Sequence, residues 1–339
     1  MRGTIVWLGA VALGAGCGSS NAQSATGGPP DASVEAGVHD AAAADSPSDG
    51  PTDAGPVEAA VPLDGGAGCN AYVDAYCAQL MSCAPSEFNQ AFGDAATCVG
   101  RLTPVCTTEL TAPGTAATQA SMQACGQAIA QQSCTNFRTV EPPECLLTGT
   151  LAGGAGCEFS SQCGSAFCDS GAGWCGHCEP RVGTGGACTP TLDLRFSPCQ
   201  PGLTCSLGQC VTPVPSGGAC QNDVGQCLFP LGCTGGTCMQ PTPLGGSGCN
   251  AGSCVRGAYC ADAGTCQAIA YDPIGMPCDL ASGGKPCFAG GHCQAGPNGS
   301  VCVADTADGQ PCTTSLQCAA PSLCTNGICQ VAVDPSTCH

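Results

Sequence analysis

Two features of the sequence combine residue types and spacing that can do chemistry. In Trp174-Cys175-Gly176-His177-Cys178, two thiols three residues apart could exchange disulfides or, with His177, ligate a metal. The second is Cys17, which stands alone after an apolar leader. Thirty-five cysteines is an odd number, so at least one has a fate other than an intrachain disulfide. Setting Cys17 aside leaves 34, an even set.

Thiol exchange needs a first thiol whose pKa is depressed by a helix N-terminus or a basic neighbour. WCGHC is identical to the redox motif of protein disulfide isomerases, which hold it between a buried strand and the start of a helix. Here DSGAG (169–173) precedes the motif, and EPRVGTGGAC (179–188), with Pro180 and several glycines, follows it. Neither a strand nor a helix is legible there, so Cys175 and Cys178 read as halves of structural disulfides. Zinc is not expected, because exported thiols oxidise and the sequence has a single C-x-x-C, with His177, His292 and His339 as the histidines outside the tether. No D-x-D-x-D-G calcium loop, G-x-S-x-G elbow, H-E-x-x-H motif or phosphate loop occurs. The expectation is a non-enzyme with no catalytic residue, metal or cofactor.

The composition dictates what can position these groups. Gly 51, Pro 27 and Cys 35 crowd the chain, and aromatics reach only 4%. Such a chain cannot fill one large core and must rely on disulfides. A formal charge of −18 with seven basic residues argues against nucleic acid and anionic lipid surfaces as partners.

Arg2, the apolar Ile5–Leu13 and the small residues up to Cys17 form a leader too short to span a bilayer, which takes about 20 residues. LGAGC resembles a bacterial lipobox, although Gly14 stands where that family prefers Leu, Val or Ile. The resemblance implies a signal peptide over 1–16, a diacylated Cys17 and, with Gly18 next, the outer membrane or cell surface of a Gram-negative bacterium. Membrane contact would then run through the lipid anchor only. Residues 18–68 carry eight acidic residues and no Lys, Arg or aromatic, the composition of a disordered spacer.

From Cys69 the texture changes. Tyr72, Tyr76/Cys77, Leu80 and Cys83 recur at helical spacing. Asp94 reads as the cap of a second helix that Pro104 closes. A third is expected from about Ala116 to Gln132, capped by Thr115, with Met122, Cys125 and Ile129 inward. Residues 69–150 thus read as a domain of three or four helices. Cys69, Cys77, Cys83, Cys98, Cys106, Cys125, Cys134 and Cys145 would staple it, in any of about 105 pairings.

Residues 151–339 repeat. Units open with a Gly-containing turn and a cysteine at 157, 188, 220, 249, 278 and 312, and five of the six hold five residues between their second and third cysteines. Units this small lie below the size that folds on a hydrophobic core, so two staples each would replace it. A β-hairpin with turns such as LGQ and TNG is expected before the fourth cysteine, with the scattered aromatics Trp174, Phe196, Phe229, Tyr259, Tyr271 and Phe288 plugging the small cores. Cys178 and Cys338 fall outside the four-per-unit register, and their pairing would close the array on itself.

The first unit, with Cys157, Cys163, Cys168, Cys175 and Cys178, resembles the N-terminal cysteine-rich domain of Dickkopf proteins, a disulfide-knotted extracellular module. Units two to six lack its final C-x-x-C. The whole layout is similar to surface lipoproteins of myxobacteria. The fold class expected is therefore small and disulfide-rich: a disordered tether, a helical eight-Cys domain and about six four-Cys hairpin modules. The functional expectation is a non-enzymatic cell-surface lipoprotein presenting its repeats to an unknown protein or surface partner. The alternatives are a passive envelope stalk, a protease inhibitor and an oxidoreductase at WCGHC.

Overall fold

The computed structural model describes residues 65–338 except 171–172, 189–197, 222–225, 250–252, 262–263, 279–285, 298 and 333. The leader, Cys17 and the tether up to residue 64 lie outside the described residues, as do Phe196, Asn298 and His339.

Five helices form a hub, rather than three or four: α1 (Gly66–Cys83), α2 (Pro85–Ala91), α3 (Ala95–Thr111), α4 (Gln119–Ala130) and α5 (Cys134–Thr139). The helical region begins at Gly66, three residues before the expected boundary, because Gln119 caps it from outside. Its Oε1 accepts from the amide of Gly68 at 2.6 Å, and its Nε2 donates to the Gly65 carbonyl at 2.9 Å. The amides of a helix's first turn, Gly68 among them, have no intrahelical partner. The α1 stripe is buried as its spacing requires, with Tyr72, Tyr76, Leu80 and Cys83 turned into a core shared with Phe88, Met122 and Phe137.

Two boundaries differ from the sequence reading. Asp94 caps α3 as expected, accepting from the Thr97 amide and hydroxyl at 2.8 Å each, and these bonds hold its carboxyl below the usual range. Pro104, however, lies inside α3. Cys77–Cys98 and Cys69–Cys106 bind α3 to α1 on both sides of the proline, so tertiary clamping overrides its tendency to end a helix. The cap of α4 is Thr118, in a reciprocal capping box with Ser121, not Thr115. Residues before it are drawn into contact with the first unit, where the Ala116 amide donates to the Ser161 carbonyl at 2.8 Å. Cys83–Cys134 and Cys125–Cys145 complete the hub, so all eight of its cysteines pair internally.

The rest of the described chain is short antiparallel strands. The first unit has β1 (Gly156–Cys157), β2 (Cys168–Asp169) and β3 (Gly176–Cys178), ordered β1-β3-β2. Each later unit has one hairpin: β4 (Thr204–Ser206) with β5 (Gln209–Val211), β6 (Gly232–Thr234) with β7 (Thr237–Met239), and β8 (Ala258–Cys260) with β9 (Cys266–Ala268). The last two pair β10 (Gly291–Gly296) with β11 (Gly299–Ala304), and β12 (Leu323–Thr325) with β13 (Ile328–Gln330). The LGQ and TNG turns sit as expected. Leu207-Gly208, Gly235-Gly236 and Asn326-Gly327 all have positive φ at both central residues, the twist that a two-residue hairpin turn demands.

Candidate interaction surface

Every unit is built on one frame. The first cysteine pairs with the third and the second with the fourth: 188–205 with 199–210, 220–233 with 227–238, and 249–260 with 254–266. The pattern continues as 278–293 with 287–302 and 312–324 with 318–329. The third and fourth cysteines face each other across the hairpin, as in Cys205↔Cys210, yet each bonds backwards to an upstream cysteine. The two disulfides therefore stack, with Sγ atoms of three cysteines in a unit within 4.8 Å of one another. These sulfurs are all committed to disulfides, so they offer no thiolate to a metal.

The glycine of the opening turn has a defined job. Gly154, Gly185, Gly217, Gly245, Gly275 and Gly309 all have φ between 76° and 88°, a region that costs other residues strain. In each unit that glycine's amide donates to the carbonyl of the cysteine in the fourth-cysteine position at 2.7–2.8 Å, closing the turn onto the hairpin. A second device is a glutamine just before the second cysteine. The Oε1 of Gln162 accepts from the amides of Glu158 and Phe159, and that of Gln317 from Thr313 and Thr314, which pins the segment between the first two cysteines.

The aromatics do not plug unit cores, which the paired disulfides already fill. Among those described, Trp174, Phe229, Tyr271 and Phe288 lie where units meet each other or the hub, while Tyr259 stays on its own hairpin, donating to Gln267 Oε1 at 3.1 Å. Trp174 is 3% exposed, packs with Val105, Ala112, Phe159 and Leu323, and donates from Nε1 to the Gln330 carbonyl at 3.1 Å. The Tyr271 hydroxyl donates to the Ser86 carbonyl at 2.7 Å; burial, then the Glu87 charge, push its pKa up to about 12.

Within WCGHC the structure separates the two thiols. Cys178 pairs with Cys163 and takes the fourth-cysteine place in the first unit, beside Cys157–Cys168. Cys175 pairs with Cys338, 163 residues away. The array is thus closed through Cys175 rather than Cys178. The physical reason is register: Cys178 lies in β3 directly opposite Cys168, whereas Cys175 precedes the strand and is exposed.

Four arginines, which the sequence reading passed over, tie distant segments together, three of them between hub and array and Arg138 within the hub. Arg101 of α3 forms a bidentate pair with Asp308 and also donates to the carbonyls of Ala319 and Ala320 and to Ser322 Oγ. Glu87 of α2 receives Arg138 of α5 at 2.6 Å and Arg256 of the fourth unit. Arg181 pairs with Glu141 at 2.5 Å. At the first unit, Ser161 Oγ donates to the buried Glu109 at 2.7 Å. In a chain of net charge −18 the few cations stand out only once their partners are known, because each partner is more than 35 residues away in sequence. Near Arg101, His292 Nδ1 lies 2.9 Å from Asp305. Burial raises the Asp305 pKa to about 6, against the lowering effects of His292 and Arg101.

No protein-family model matches this chain, and neither the curated proteins nor the solved structures include a match. Seventeen disulfides belong to an exported, oxidising setting. No helix among the described residues is long and apolar enough to cross a membrane.

Proposed function

We propose that this chain is a non-enzymatic, lipid-anchored surface protein that presents its stapled units to a protein or cell-surface partner. One observation carries the reading: the frame is constant while the loop it holds varies. All six units share one pairing pattern, yet the segment between first and second cysteines runs from four to ten residues. Rigid scaffolds with exchangeable loops are how many domains carry binding surfaces. The distribution of exposed apolar side chains agrees. Nine of the eleven large ones among the described residues lie on the array, including Leu207, Met239, Leu244 and Ile274.

The stalk alternative has less support, because a stalk extends end to end while the first and last units here are bonded to each other. Acylation of Cys17 and the acidic spacer would hold the closed array away from an outer membrane. Fatty-acid labelling that disappears in Cys17→Ser tests the anchor. For binding, the chain from residue 18 onward should bind intact cells saturably. Replacing the first-to-second-cysteine loops one unit at a time with Gly-Ser of equal length should weaken that binding tenfold or more in at least one unit. Non-saturable binding, or indifference to every loop exchange, would overturn the reading.

A further inference from the structure

We infer that Cys175–Cys338 is a thiol-exchange latch that locks and releases the closed array, a property independent of the binding role proposed above. Three observations converge on this bond. It is the closure that spans the array: its cysteines are 163 residues apart, whereas the other disulfides span 11 to 51. Cys175 is exposed, and among the described cysteines Cys134 alone shares that exposure. Gly173 and Gly176 flank the Trp174–Cys175 pair and carry no side chain that could shield the sulfur. Cys338, in contrast, is 5% exposed, so the geometry directs attack to Cys175.

The reductant is a dithiol of the exported compartment. Its first thiolate attacks Cys175 Sγ, forming a mixed disulfide and breaking the bond to Cys338, which leaves with the electron pair and takes up a proton. The donor's second thiol, as thiolate, then attacks the donor sulfur of the mixed disulfide. This expels Cys175, which is also protonated. The donor departs as a disulfide, oxidised by two electrons, and the chain gains two electrons and two protons as two thiols. With the bond open, the Trp174–Gln330 and Arg101–Asp308 contacts are left to close the seam without covalent help, so the array opens and recloses and the thiols meet again to reoxidise.

Stepwise titration of the chain from residue 18 onward with dithiothreitol, followed by alkylation and peptide mass spectrometry, tests this directly. The first two thiols to be modified should be Cys175 and Cys338, at reductant concentrations at least tenfold below those that open any other pair. Hydrogen exchange over residues 305–338 should then rise at least tenfold while residues 66–145 are unchanged. A Cys175→Ser/Cys338→Ser variant should reproduce that exchange pattern without reductant. Earlier opening of Cys83–Cys134, loss of all disulfides in one step, or unchanged exchange after selective reduction would each overturn the latch.

Discussion

Gly68 shows at atomic scale how α1 and α4 come together. A Cβ there would lie 2.0 Å from the Gln119 carbonyl oxygen, and one on Gly126 would lie 2.7 Å from that of Ala71. Backbone cannot yield as a flexible side chain can, so Gly68→Ala should destabilise the hub by about 1–3 kcal/mol, read as a lower denaturant midpoint. Leu207 presents the opposite case. It sits at φ 50° in the β4–β5 turn with its side chain 62% exposed, so Leu207→Gly relieves strain and removes little packing. That substitution should raise stability by about 1 kcal/mol in thermal unfolding. Asp305 adds a pH dependence whose sign is fixed. Its folded pKa of about 6 exceeds the ordinary 3.8, so its protonated form is favoured in the folded state. That contribution is complete below pH 3.8 and is lost as pH rises through about 6. Asp305→Asn, uncharged throughout, should flatten the stability profile between these values and be more stable than the parent at pH 7, by up to about 3 kcal/mol.

Among the elements, α3 departs most from what its sequence implies. Pro104 removes the amide that would bond the Gly100 carbonyl, and the helix continues only because disulfides clamp it before and after. Pro104→Ala should therefore keep all four hub disulfides and raise the hub's unfolding midpoint by an amount worth about 1–3 kcal/mol. Local signals were legible where one residue type has one use: the Tyr72–Leu80 stripe, the Asp94 cap, and the Leu207-Gly208 and Asn326-Gly327 turns. The cysteine intervals gave the unit boundaries but not the pairing, because the third and fourth cysteines face each other and could as readily have bonded together. Stacking of two disulfides decides it, and spacing does not encode stacking. Gln119 and Thr118 were likewise missed, since a cap supplied from another helix, or one shifted by three residues, leaves no local pattern.

For the whole molecule, folding depends on staples distributed along the chain and a seam that returns its far end to the start. Each unit's two disulfides close loops of 11 to 17 residues and contribute roughly 3 kcal/mol apiece on a chain-entropy account. The seam is held by one disulfide, Trp174 and the Arg101 clamp. Arg101 is partly exposed, so Arg101→Gln should cost about 1–3 kcal/mol and loosen residues 305–323 in hydrogen exchange, leaving the other units protected. Of these joints the sequence marked only Cys338, a cysteine outside the unit register, and pointed to Cys178 rather than Cys175 as its partner. The Trp174 and Arg101 contacts were not legible, because contacts across more than 150 residues have no signature in neighbouring positions. A constant two-disulfide frame thus recurs in six units and is closed into a loop through Cys175. Peptide mass spectrometry of the unreduced, proteolysed chain measures it most directly. First-to-third and second-to-fourth links are expected in every unit, with Cys163–Cys178 in the first and a peptide joining Cys175 to Cys338. A Cys175–Cys178 bond, or first-to-second and third-to-fourth links within the units, would contradict it.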